Sequence, residues 1–434
     1  MDMLKRVTVF VALFFPLFCG AFCPSGDKEE PDTVYVRDAT DLIREQYRPL
    51  ARYLTFFPGS IPTTGNEMEI ITNGLHYREL LVADFEAAKD YIELETMLFA
   101  TDTTGHFFKD LLLNRAADGV KVRYTHDNVA NLFDNIIDGR AVFKGFYSDM
   151  RKRGVDMRNF KPIWRINDGL YPLTSWNHRK ISIVDGKVAY IGGMNINDGS
   201  MGAWEDTHIR IKGPAVMSLR ALFLQGWNSL SLSESGKIPL HLVRSEEAAD
   251  GDGAVFQIFA DGPDVPANSM QDALVWTLEN ASRYVYIATP YFMPTKRVVK
   301  AMKKAAERGL DVRLLIARDA DVGMASPVNH SYYETCVRSG VRIFERVDRF
   351  VHSKVFIADD YMTYIGSSNI DKQSLLKLYE AGAMIYDEHT ATINAGKFLE
   401  DLKGTEEVSE TTFAGWSAGE RIKQKLFRPI AFWM

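Results

Sequence analysis

The chain has 434 residues, enough for two domains of ordinary size rather than one growing core. With 46% hydrophobic and 25% charged residues and a mean hydropathy of −0.16, it is neither a disordered chain nor a polytopic membrane protein. A net charge of −6 gives no general attraction to a polyanion, and three cysteines, two of them near the N-terminus, supply neither a disulfide framework nor a cysteine-based metal site.

In chain order, Lys5 and Arg6 precede an apolar run at 7–23, and the polar stretch Pro24-Ser-Gly-Asp-Lys-Glu-Glu30 follows it. Residues 1–25 therefore read as a targeting element: a signal, a single membrane anchor or a lipoprotein-like signal with Cys19 or Cys23 as lipid acceptor. The plainer alternative is a cleaved leader on a secreted enzyme. The positive charge ahead of the run implies a cytoplasmic N-terminus, and hence a catalytic body at the cell membrane on its non-cytoplasmic side. Residues 26–65 read as a linker and lead-in helix.

From residue 66 onward the chain repeats itself. A helical pattern runs into a strand at Asp84-Phe-Glu-Ala-Ala-Lys-Asp-Tyr-Ile-Glu-Leu-Glu95, and a second strand follows at Gly119-Val-Lys-Val-Arg-Tyr124. The same order returns at Thr277-Leu-Glu-Asn-Ala-Ser-Arg-Tyr-Val-Tyr-Ile287 and Gly309-Leu-Asp-Val-Arg-Leu314. Strands alternating with helices predict an α/β fold in each half, spanning 66–244 and 254–434, with the Glu-, Ala- and Asp-rich stretch 245–253 as the joint.

The repeat sharpens at His178-Arg-Lys180, Asp185 and Gly192-Gly-Met-Asn195. His352-Ser-Lys354, Asp359 and Gly366-Ser-Ser-Asn369 match them position by position, all at the one offset that separates His178 from His352. Asp206 and Glu380 keep that offset too, so each histidine has a carboxylate at the same spacing downstream. Upstream the offset is the larger one between Gly119 and Gly309, which places a net insertion somewhere in 128–177 of the first half.

A His-x-Lys strand puts both side chains on one face. Turns are expected at Asp185-Gly186 and Asp359-Asp360, and the returning strands bring Gly192 and Gly366 back beside the histidines. Two such copies make one phosphodiester site. One imidazole attacks phosphorus while the other, protonated, serves the leaving alcohol. Lys180, Lys354, Asn195 and Asn369 face the phosphoryl oxygens, and Asp206 and Glu380 orient the histidines. A lone His-x-Lys is usually surface decoration; the duplication is what carries the reading.

These residues resemble the motif His-x-Lys-x4-Asp-x6-Gly-x2-Asn of the phospholipase D superfamily. Asn177-His-Arg-Lys180, Gly192-Gly-Met-Asn-Ile-Asn-Asp198, Trp204-Glu-Asp-Thr-His-Ile-Arg-Ile-Lys-Gly-Pro214, Thr289-Pro-Tyr-Phe-Met-Pro294 and Gly366-Ser-Ser-Asn-Ile-Asp371 are similar to its bacterial cardiolipin synthase branch. The resemblance implies two tandem phospholipase D-like domains, each a mixed β-sheet flanked by helices, with the active site at their pseudo-twofold interface. It implies His178, Lys180, Asp185, His352, Lys354 and Asp359 as the catalytic set, with His178 as nucleophile and His352 as general acid and base; the near symmetry of the motifs leaves the reverse order open. It also implies condensation of two phosphatidylglycerols into cardiolipin and glycerol. Gln373 and Leu378 stand where the branch carries Arg and Asn, which bears on head-group recognition.

Phospholipids, phosphatidylglycerol or else phosphatidylethanolamine, are thus the expected substrates and a membrane the expected partner; nucleic acid is not. No cofactor or metal is expected, since the remaining histidines lack ligand spacing. Hydrolysis to phosphatidic acid is the alternative outcome of the same intermediate, and a nuclease or other phosphodiesterase fits the acidic balance less well. Of the aromatics near the motifs, Trp164, Trp176, Trp204, Tyr291 and Phe292, each is expected in the core rather than along a lipid channel. The basic, aromatic C-terminus, Arg421 onward, fits either a membrane-surface segment or a docked terminal helix.

Overall fold

The computed structural model describes residues 32–55, 59–127, 145–160, 175–231, 233–245, 247, 253–265, 267–321 and 323–429. The expected targeting element at 1–25, most of the inserted stretch and Trp164 lie outside them. Among the described residues no helix is long and apolar enough to cross a membrane.

A short parallel pair, β1 (Asp32–Val36) and β9 (Leu240–Arg244), joins the start of the described chain to the end of the first half. The first large sheet runs in the order β2 (Glu67–Ile71), β8 (His208–Lys212), β7 (Val188–Gly192), β6 (Lys180–Val184), β3 (Tyr91–Thr96), β4 (Lys121–Asp127), β5 (Asp156–Phe160). The second repeats it strand for strand: β10 (Val255–Asp261), β18 (Glu380–Tyr386), β16 (Met362–Gly366), β15 (Val355–Ala358), β11 (Tyr284–Ala288), β13 (Asp311–Ala317) and β14 (Arg342–Arg346), with β19 (Thr405–Val408) added at the edge. In both sheets the three strands β3–β4–β5 and β11–β13–β14 are parallel, and the other pairings are antiparallel. Two short strands, β12 (Phe292–Met293) and β17 (Ile370–Asp371), form a separate parallel pair.

Parallel neighbours need crossovers, and helices supply them: Thr103–Ala117 between β3 and β4, Lys296–Glu307 between β11 and β13, and Ala325–Val337 between β13 and β14. On the outer face of the first sheet Leu81, Phe85, Phe108 and Leu112 cover Ile92, Leu94 and Val122. The inner faces pack on each other. Ile181, Ile183, Ile191 and Ile209 of the first sheet share one core with Phe256, Ile258, Ile365 and Ile385 of the second. An isoleucine buried there contributes about 1.5–3 kcal/mol, so the two halves are joined by a true core and not by a loose domain contact.

The lead-in stretch goes further than a linker. Ile43, Tyr47, Leu50 and Leu54 belong to the core of the second half, although they precede the first in sequence. The ring of Tyr47 stacks on Tyr361 at 5.0 Å, and Gln257 Nε2 donates to the Ala51 carbonyl at 2.8 Å.

The expected turns form between β6 and β7 and between β15 and β16. Asp185 and Gly186 have φ of 51° and 63°, and Asp359 and Asp360 have 54° and 53°, the left-handed pair of a tight hairpin turn. Here the structure corrects the assignment of Asp185 and Asp359 to the catalytic set. They sit beyond the far ends of the strands that begin beside the histidines, and their carboxylates accept main-chain N–H groups instead. Asp185 accepts from Lys89, Asp90 and Tyr91 at 2.8–2.9 Å. Asp359 accepts from Ser282, Arg283 and Tyr284 at 2.7, 2.8 and 3.2 Å. Each aspartate pins the entry of the neighbouring strand, β3 or β11. Asp359→Ala is therefore expected to lower stability by about 2–3 kcal/mol, from unsatisfied N–H groups and an alanine at positive φ. A lower urea midpoint, with the specific activity of the remaining folded protein intact, is the signature.

Candidate active site

His178 and His352 sit immediately ahead of β6 and β15, at the ends of the strands that meet across the interface. Each is held by the other half. The His178 main-chain N–H donates to the Tyr379 carbonyl at 2.9 Å, and the His352 N–H donates to the Glu205 carbonyl at 2.7 Å. The next residue along each partner segment supplies the carboxylate. His178 Nδ1 lies 2.9 and 3.0 Å from the two oxygens of Glu380, and His352 Nδ1 lies 2.6 Å from Asp206 Oδ2. The carboxylate downstream of one histidine thus serves the other. This crossing was hidden in the sequence, because a constant offset is the same whether the pairs lie within the halves or between them.

The middle residues of the two motifs reach across as well. Arg179 Nε donates to the Glu380 carbonyl at 3.3 Å, and Ser353 Oγ lies 3.0 Å from Thr207 Oγ1. Asn177, the residue before the first histidine, donates from its amide to buried Glu95 at 2.5 Å and from its main chain to Asp127 at 3.0 Å. Both imidazoles are buried to below a tenth of their free exposure, and with Nδ1 engaged Nε2 is the reactive nitrogen of each; among the described residues it has no hydrogen-bond partner.

Lys180 and Lys354 are buried beside them, and each ammonium donates to the carbonyl of its own motif's histidine, Lys180 at 2.6 Å. Burial, reinforced by the charge of Lys354, pulls Lys180 down to about 7; burial pulls Lys354 down to about 8. Burial likewise takes His178 down to about 4, against the opposing pull of Glu380, and lowers His352. Asp206 and Glu380 lie below the usual carboxylate range: burial alone would raise them, and the facing histidines and lysines overcome it.

Those lysine values carry a prediction. An anionic phosphodiester is held best by protonated lysines, which lose their charge as pH rises through about 7 to 8. KM is therefore expected to climb by at least about tenfold from about pH 7 to about pH 9, while kcat changes less; a pH series of initial rates reads both.

The two asparagines differ. Asn195 Oδ1 accepts from the Leu98 N–H at 3.3 Å, which leaves its NH2 as the donor. Asn369 is hydrogen-bonded to Asp371, leaving one amide hydrogen for an anion. The halves differ again one residue after the glycine. Ser367 Oγ donates to Glu380, whereas Gly193 occupies the matching place beside Asp206, where an added Cβ would stand 2.1 Å from Oδ1. Neither Ser367 nor Thr207 was singled out from the sequence; Ser367 was visible as the one difference between Gly-Gly and Gly-Ser. Of the aromatics, Phe292 is in the core as expected, but the Trp204 ring lies 5.0 Å from His352 and forms a wall of the site. Gln373 and Leu378 are both buried, on and just after the short helix Lys372–Leu376.

A buried, twofold pair of imidazoles, each steered by a carboxylate and flanked by a lysine, on two sheets of the same strand order, defines a phosphodiester-processing site of the phospholipase D type. The family model described as cardiolipin synthase, PLD-like domain, matches residues 81–227 and 274–402. A cardiolipin synthase of Geobacillus sp. (strain WCH70) is 31% identical over 395 residues, covering 90% of this chain and 76% of the relative. One of Listeria monocytogenes (serotype 4b, strain CLIP80459) is 30% identical over 396 residues, covering 89% and 79%. The crystal structure of phosphatidylserine synthase from Haemophilus influenzae Rd KW20 superposes with a TM-score of 0.63 at 14% identity, over 90% of this chain and 97% of that one, which shows the shared fold. The chain belongs to the cardiolipin synthase family of the phospholipase D superfamily, and it is a phosphatidyltransferase acting on phospholipids.

Proposed function

We propose that the enzyme joins two phosphatidylglycerols into cardiolipin and releases glycerol, through a covalent phosphohistidine. His178 Nε2 attacks the phosphorus of the first lipid, and glycerol leaves with a proton from His352. The terminal hydroxyl of a second phosphatidylglycerol then attacks phosphorus, His352 takes its proton, and the P–N bond to His178 breaks. The observation that carries this reading is the crossed pair of Nδ1–carboxylate contacts, which leaves two Nε2 atoms for one phosphodiester.

The division of roles has its own support. Burial keeps His178 neutral, the form a nucleophile needs; burial lowers His352 as well, and its 2.6 Å contact to Asp206 opposes that pull. Asn195, Asn369 and the two lysines would hold the phosphoryl oxygens. A place at the cell membrane, with the body on its non-cytoplasmic side, accords with Lys5, Arg6 and the apolar run at 7–23.

The test is product analysis with phosphatidylglycerol labelled in its head group, using the full chain in detergent micelles. The expected result is cardiolipin with one glycerol released per molecule formed. Phosphatidic acid without cardiolipin would make the enzyme a hydrolase.

A further inference from the structure

The helix Lys296–Glu307 buries Val298, Ala301, Met302 and Ala305 and turns its lysines outward. Lys296, Lys300, Lys303 and Lys304 line a cleft of about 570 Å³, closed on the other side by Lys372 and Arg428. Glu307 is the one acidic residue on its wall. Among the described residues no ion pair joins any of these six cations to a carboxylate, whereas Arg297 on the same helix is paired with Asp272. Such a concentration of unpaired positive charge stands out in a chain of net charge −6.

The cleft lies at the active-site end of the second sheet. β11 and β15 are antiparallel with Ala288 opposite Val355, so β11 ends where His352 sits. From there the chain passes through β12 into the lysine helix. β12 pairs with β17, which lies between Asn369 and Lys372 in the chain.

A second, independent feature borders the cleft. The helix Ala418–Phe427 packs on Ala325–Val337, whose Tyr332 ring lies 5.0 Å below the Arg428 guanidinium. On its outer side Ile422 and Leu426, one turn apart, are 63% and 65% exposed, with Lys423 and Lys425 beside them. Two exposed apolar side chains ringed by cations fit an interfacial helix.

We propose that this face, the cleft of Lys296, Lys300, Lys303, Lys304, Lys372 and Arg428 with the Ile422–Leu426 ridge, docks the enzyme on the surface of an anionic phospholipid bilayer. The proposal rests on the reading that the substrates are phospholipids, but binding is measured apart from turnover. Docked there, the site's end of the sheet faces the lipid from which substrate is drawn. Each cation near an anionic surface contributes about fivefold in partitioning, and the ridge adds the apolar share that salt does not screen.

The experiment is flotation of the full chain with vesicles of phosphatidylcholine alone and with about a third phosphatidylglycerol, at low and high salt. Neutral vesicles report what the apolar run at 7–23 contributes; the increment on anionic vesicles belongs to the cleft. The expected increment is at least about tenfold at low salt, is reduced by high salt, and is lost in Lys300→Glu/Lys303→Glu/Lys304→Glu, whose substitutions face outward. Ile422→Ser/Leu426→Ser should weaken the binding that survives high salt. His178→Ala, without turnover, should float as wild type does, which separates this proposal from the transfer reaction. Equal flotation on both vesicles, or an increment untouched by the triple substitution, overturns the proposal. So does release by inorganic phosphate at constant ionic strength, which would mean a phosphate site, or tighter binding to duplex DNA than to anionic vesicles at the same salt.

Discussion

Alanine at His178 is expected to lower kcat by about 10⁵-fold or more, and alanine at His352 by about 10³- to 10⁴-fold with natural substrates. The two losses differ in kind. Without His178 no P–N bond forms. Without His352 the nucleophile remains and only proton delivery to the glycerol is missing. A phosphatidyl ester of p-nitrophenol, whose leaving group needs no proton, separates them. His352→Ala should release a burst of about one equivalent of nitrophenolate and retain an acid-labile, alkali-stable phosphate on His178, because transfer to the second alcohol is slow. His178→Ala should give neither burst nor label. A burst from His178→Ala and none from His352→Ala would reverse the roles, which the near symmetry of the two motifs allows on sequence grounds alone.

The second large effect concerns the carboxylates. Asp206→Asn is expected to cost about 10³- to 10⁴-fold in kcat with KM little changed, and Glu380→Gln a comparable factor. In each case the amide presents an N–H toward Nδ1 where an oxygen now accepts, so the imidazole is pushed into the wrong tautomer or turned. Because Asp206 serves His352 and Glu380 serves His178, the defects should follow the crossed pairing: Asp206→Asn should still burst with the nitrophenyl ester, and Glu380→Gln should not. If these burst patterns were exchanged while His352→Ala still gave its burst, the pairing in solution would lie within each half. Thermal unfolding of both variants checks that the loss is chemical.

Much of this was legible before the fold was known, because duplicated chemistry leaves a constant interval in the chain. The interval from His178 to His352 is also that from Lys180 to Lys354 and from Asp206 to Glu380, and the hairpin turns announced themselves as Asp185-Gly186 and Asp359-Asp360. The alternating helix and strand patterns went only as far as an α/β fold in each half; the mixed sheet was what the resemblance implied, and the strand order was not read. What stayed hidden depends on the third dimension. An interval fixes equivalence but not which copy touches which, so the exchange of carboxylates between the halves could not be read. Asp185 and Asp359 looked catalytic because they belong to the motif; their positive φ and their main-chain N–H partners are properties of the folded turn. The lead-in residues Tyr47 and Leu50 looked like a linker because sequence order suggests that they serve the half they precede, whereas apolar side chains go to whichever core has room for them.

The exchange of partners across the interface means that neither half, expressed alone, would own a complete site: it would have a histidine without its carboxylate. Supplied as two polypeptides, the halves should recover activity only as they meet, with a rate that grows with the concentration of both, whereas the covalent joint holds them at a high effective concentration. Being one polypeptide also permits something a symmetric dimer of identical subunits cannot have. Such a dimer must carry the same residue at both copies of every position. Here Asp206 can stand opposite Glu380, and Gly193 opposite Ser367, so one imidazole can be tuned without disturbing its twin.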